Sequence, residues 1–182
     1  MIVREILKAL YGAFLLMRFD AAGCNYFNYT VAGFWRSFGA AVIALPLFLG
    51  VVYVHTWAGE GVVSFEVRQS IFRYGTGWLV YPLVALLLVK ILDRMENYVA
   101  YIITNNWFGV PQWLLVGLVS TVGQTSSSEL SNLISICLLL LLVYYDFFIA
   151  RVVLDLTPGR AALVVFIGVL SGMLLDTLIL DA

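Results

Sequence analysis

Residues 138–151 read LLLLLVYYDFFIAR, the second half of an apolar run that begins near Ser131. A helix that is hydrophobic on every face lies either in a large core or in lipid, and a chain of 182 residues is too short to wrap such a core around one. The run also has the length a bilayer requires, about 20 residues. It therefore reads as a membrane-spanning helix with one anomaly, a carboxylate at Asp146 shortly before the run stops at Arg151.

Four more segments share this character, at about 31–54, 76–92, 99–120 and 160–179, so that with 131–151 the chain holds five candidate spans. The second is short, and either tilts or gains length from SIFRYGTGW before it. Hydrophobic residues make up 63% of the chain and charged ones 12%, with a mean hydropathy of +1.00, against about 45–50% apolar in soluble domains. Strands are excluded because the runs are long and lack alternation. The expected fold is all-α: a polytopic integral membrane helical bundle of five transmembrane helices in one domain, 1–182, preceded by an amphipathic helix. That helix, within 1–20, follows from IVREILKALYGAFLLMRF, where Ile2, Ile6, Leu7, Leu10, Phe14 and Met17 recur at helical spacing and Arg4, Glu5, Lys8 and Arg18 fall mostly elsewhere. It reads as an interfacial helix with membrane lipids as its partners. Arg18 and Asp20 just before AAGC argue against its being a cleaved signal.

Arg4, Lys8, Arg18, Arg36, Lys90, Arg94, Arg151 and Arg160 flank the spans on one side, against Arg68 and Arg73 on the other. Basic flanks stay in the cytoplasm, so the N-terminus is expected there and the C-terminus outside, and the NYT at 28–30 would face the cytosol unglycosylated. The connection HTWAGEGVVSFEVRQSIFRYGTGW, 55–78, reads as a surface-lying helix or an irregular connector.

Several function classes fall away. A net charge of −1 without blocks of like charge gives no basis for nucleic-acid binding. Cys24 lies before the first span and Cys137 within one, which disfavours a disulfide. The single histidine, His55, has no companions at ligand spacing, so no metal site is expected. No phosphate-cradling loop, cofactor motif or catalytic Ser/His/Asp set is present. No enzyme activity and no cofactor are therefore expected.

The intramembrane polar residues carry what remains. A charge in a span is usually paired or faces the bundle interior. Arg36, in GFWRSF, enters the first span at a depth similar to Asp146. The leading expectation is an Asp146–Arg36 ion pair; snorkelling of both groups and a proton or ion relay are the alternatives. Asn105 and Asn106, in TNNWFGVPQWLL ahead of Pro111, read as interhelical glue or as part of a transport site. Ser127 or Ser128 is placed to cap the next helix. Gly168, Gly172 and Asp176 share one face of the last span, and two glycines four apart admit a close helix neighbour, from this chain or from a second copy. Asp176 would face the headgroups. Trp35, Trp57, Trp78, Trp107 and Trp113 read mostly as an interfacial belt.

Five spans, YIITNNWFGVPQWLL and YYDFFIARVVLDLTPGRAALVVFIGVL together resemble the YIP1 domain family, over about residues 25–180. In that family a polar group and a proline precede an apolar run in the third span, and a basic turn leads into an RA opening the last. The resemblance implies a non-enzymatic role in membrane organisation or trafficking; the short loops, the glycine face and the amphipathic segments add the expectation of a scaffold or accessory subunit in a homodimer or larger membrane complex. Its compact form resembles the small members of the bacterial inner membrane. The chain departs from eukaryotic members in lacking an extended polar N-terminal region. The competing expectation is a small transporter or channel whose polar path passes Asn105, Asn106, Asp146 and Arg36, in which case those four groups line one cavity.

Overall fold

A computed structural model describes residues 2–57 and 63–180, and every regular element among them is helical. The elements are α1 (Ile2–Met17), a 3-10 turn (Ala21–Tyr26), α2 (Val31–Ser37), α3 (Gly39–Trp57), α4 (Val63–Ile91), a short 3-10 turn (Met95–Asn97), α5 (Tyr98–Thr125), α6 (Ser128–Val153) and α7 (Pro158–Leu180). Four stretches of the described residues are long and apolar enough to cross a membrane: Val31–His55, Val67–Ile91, Ser128–Val153 and Pro158–Leu178.

The expected span 99–120 lies in α5, whose 28 residues have the length but not the apolarity of the other four. The reason is its position. It packs against α1, α2, α3, α4 and α6, and Tyr101, Ile102, Ile103, Thr104, Trp107 and Phe108 on it are almost wholly buried. A helix surrounded by protein can carry polar side chains, provided that they find partners there. Thr104 does so with Tyr29, the two hydroxyls 3.2 Å apart, and the Asn106 amide donates to Ser37 Oγ at 2.8 Å.

Between 55 and 78, residues 58–62 lie outside the described residues, and α4 runs unbroken from Val63 to Ile91. From Val63 on, the stretch read as a surface helix or loop is therefore the first half of a membrane-length helix. The short second span does gain its length from the residues before it. The first span is broken instead: α2 ends at Ser37, and Phe38 separates it from α3. Ser127 stands at the N-cap of α6, yet its side chain makes no capping hydrogen bond.

The apolar face of α1 serves two surroundings. Ile6, Leu10 and Met17 pack on the core beside the buried Ala9, Ala13 and Leu16, while Leu7 and Phe14 remain exposed. The close approach depends on Gly12, where a Cβ would stand 2.7 Å from the Gly23 carbonyl oxygen. At the end of α1, Phe19 N–H donates to Leu16 O and Asp20 N–H to Leu15 O, with Phe19 in the left-handed region at φ 57°. Glycine usually takes this position. Here the turn stacks the Phe19 ring on Tyr145 of α6, centroids 4.8 Å apart. The Tyr145 hydroxyl in turn donates to Met17 O at 2.8 Å, and Arg94 reaches Asp155 O at 3.3 Å. One end of the bundle thus gathers α1 and the turns that follow α4 and α6.

Candidate functional site: a polar cavity beside Asp146

Two helix faces and one carboxylate line an open cavity of about 310 Å³. From α4 come Tyr74, Gly77, Trp78 and Tyr81, spaced so that they share one face of a helix. From α5 come Asn105, Gly109, Gln112 and Trp113, on one face by the same rule, with Asn106 beside them. Asp146 is supplied by α6 and Arg73 stands on α4 one turn before Gly77. Gly109 lets the Trp78 ring approach α5 closely: a Cβ there would meet it at 3.2 Å.

Asp146 accepts one hydrogen bond, from Gln112 Nε2 at 3.2 Å. Among the described residues, no Arg, Lys or His lies within ion-pair distance of it. The expected Asp146–Arg36 pair is therefore not formed. Arg36 donates instead to Glu5 Oε2 at 2.8 Å, and Asn28 holds the other oxygen of Glu5 at 2.8 Å. Arg36 stands on α2, close to the N-terminal part of α1 that carries Glu5. The hydrogen bond from Asn28, and then Arg36, hold the Glu5 carboxyl below its ordinary value against the opposing effect of partial burial.

Of the four groups expected on a polar path, Asn105, Asn106 and Asp146 line this one cavity and Arg36 does not. Asn105 donates its amide to Tyr101 O at 2.9 Å and Asn106 donates to Ser37. Asn106 thus does act as interhelical glue, and the carbonyl oxygens of both amides remain as acceptors for the cavity. The Tyr81 hydroxyl lies 2.7 Å from that of Tyr101.

At the opposite end from α1, Arg73 holds Asp176 of α7 through two contacts, Nε to Oδ1 at 2.9 Å and Nη2 to Oδ2 at 2.7 Å. Asp176 thus pairs within the bundle, although its side chain is still about half exposed. A second cavity of about 560 Å³ adjoins the first: Arg73, Tyr74 and Trp113 line both, and His55, Ser70 and Asp176 belong to the second. Phe48 stacks on Tyr74 at 4.5 Å and meets Trp113 edge-on at 5.1 Å, which makes an aromatic partition.

The remaining expectations divide. Gly168 faces Tyr81 of α4, 3.5 Å from where a Cβ would lie, whereas nothing stands within 4 Å of such a Cβ at Gly172. Trp35 is exposed as a belt residue should be, but Trp107 is buried in the core and Trp78 and Trp113 wall the cavity; the side chain of Trp57 lies outside the described residues. Gln112, Trp78, Tyr81, Trp113 and Arg73 are site residues that sequence reasoning missed. A signal existed in the i, i+4, i+7 spacing of Tyr74, Trp78 and Tyr81, hidden by reading part of that stretch as a connector. Compared with described protein families, with curated proteins and with solved structures, the chain matches none.

Proposed function

We propose that the protein is a five-span transporter or channel of a bacterial inner membrane that passes a small polar solute between α4, α5 and α6. In this reading α5 is the fifth crossing. Its length, about 42 Å at 1.5 Å per residue, exceeds a hydrocarbon core of about 30 Å. The basic flanks put the N-terminus in the cytoplasm and the C-terminus outside. The observation that carries the proposal is the convergence of Asn105, Asn106 and Asp146 on one cavity whose carboxylate has no cationic partner among the described residues. A carboxylate kept in a span for packing alone is expected to be neutralised by a neighbour. This one faces a cavity with a second cavity next to it.

The test is solute-induced current or uptake in proteoliposomes, with a small-solute panel. Saturable flux that Asp146→Asn reduces at least tenfold supports the proposal. Absence of flux from any solute, in protein that is folded and correctly inserted, refutes it.

The YIP1-like scaffold reading keeps one specific support. Nothing stands within 4 Å of where a Cβ would lie at Gly172, and a small residue with such room beside it admits a close helix neighbour. Crosslinking through a cysteine at Gly172 that traps a homodimer or a larger assembly supports this reading.

A further inference from the structure

The geometry points to a small organic cation, an ammonium or quaternary ammonium group, as the ligand of the Asp146 cavity; this rests on the solute-path reading above. Charge is the first argument. Arg73 and Asp146 are the side chains of formal charge that line the cavity, and Arg73 is held in a two-contact pair by Asp176. One cation and two carboxylates leave one negative charge uncompensated, and it is on Asp146. An occupant carrying a positive charge restores neutrality, while an anion adds a second like charge in a low-dielectric space.

The wall chemistry agrees. Asp146 and the carbonyl oxygens of Asn105 and Asn106 are acceptors, and Gln112 spends a donor on Asp146 itself. Four aromatic side chains, Tyr74, Trp78, Tyr81 and Trp113, are among the lining residues. An aromatic face attracts a cation, tryptophan most strongly, and the combination of such faces with one carboxylate is how quaternary ammonium groups are recognised.

Size and ligand count distinguish an organic cation from a metal ion. A divalent cation takes six or more oxygens, with several carboxylates among them, and no group of three His, Cys, Asp or Glu residues suited to a metal exists among the described residues. A cavity of about 310 Å³ is at the small end of the range for organic ligands, and a bare ion would leave most of it empty.

The experiment is equilibrium binding to the full chain in nanodiscs. The probes are tetramethylammonium, choline and the neutral choline isostere 3,3-dimethylbutan-1-ol, followed by tryptophan fluorescence and calorimetry, with proteoliposome flux of each measured in parallel. The expected result is that the cations bind at least tenfold more tightly than the neutral isostere. Asp146→Asn should weaken them roughly a hundredfold, as loss of a buried charge partner does. Asp146→Glu retains binding, and Trp78→Leu weakens the cations roughly tenfold while leaving the isostere unchanged. These two variants decide the matter if Asp146→Asn does not fold.

Equal or better binding of the neutral isostere overturns the inference, as does cation binding that neither Asp146→Asn nor Trp78→Leu affects. If flux of neutral solutes persists in either case, the solute-path reading survives while the assignment of ligand class fails. If no probe binds and no solute moves, both fail.

Discussion

Replacing Arg36 by Gln separates two accounts of how the N-terminal layer is held. In the structure the partner of Arg36 is Glu5, at 2.8 Å, with Asn28 on the second carboxylate oxygen, and Arg36 is half exposed. An ion pair this open to solvent contributes about 0.2–1 kcal/mol. For a chain of this size, that amounts to a fall of roughly 0.5–4 °C in the unfolding midpoint. The assay is thermal unfolding in nanodiscs of wild type, Arg36→Gln, Glu5→Gln and the double variant, in low and high salt. Glu5 and Arg36 should couple, and the coupling should shrink in 1 M salt, where the Debye length is about 3 Å. The same cycle with Asp146→Asn should be additive with Arg36→Gln. The pH dependence has a definite sign. The Glu5 carboxyl lies below its ordinary value of 4.5 in the folded protein, so its stabilisation is present above that value and disappears as the pH falls through the lowered one. The midpoint difference between wild type and Glu5→Gln should therefore be flat from neutral pH down to about 5.5 and vanish in stronger acid. Coupling of Arg36 to Asp146, or none to Glu5, would refute the packing described for α1 and α2.

The two helical glycines at positions 12 and 172 should respond to alanine in opposite ways. At Gly12 the new Cβ meets a backbone oxygen at 2.7 Å, which flexible side chains cannot relieve, so Gly12→Ala should cost about 1–3 kcal/mol, seen as a lowered unfolding midpoint. At Gly172 the Cβ meets nothing, and Gly172→Ala should be neutral or stabilising by up to about 1 kcal/mol; a loss there would reveal a packed neighbour. The five-span topology predicts that alkaline phosphatase fused after Asp93 is inactive in cells while the same enzyme fused after Leu180 is active, and the reverse pattern would invert the orientation.

The legibility of this chain followed lipid exposure. Helices α6 and α7 expose apolar side chains along most of their length, so hydropathy alone locates them, to within a few residues of Ser128–Val153 and Pro158–Leu180. The same signal is weaker for α5, although it still marks 99–120, because the side chains that lower its apolarity are ones its neighbours satisfy, Thr104 with Tyr29 and Asn106 with Ser37. The site divides in the same way. Asp146, Asn105 and Asn106 announce themselves as polar groups where polarity is costly. Trp78 and Trp113 do not, since an aromatic near a span end has the same composition whether it anchors in the headgroups or walls a cavity. The error over Arg36 arose from depth. Counting residues along 31–54 assumes one straight helix, and nothing in GFWRSFGA announces that Phe38 interrupts it. In the structure Arg36 pairs with Glu5 of α1, and the hydrogen bond that reaches Asp146 comes from Gln112.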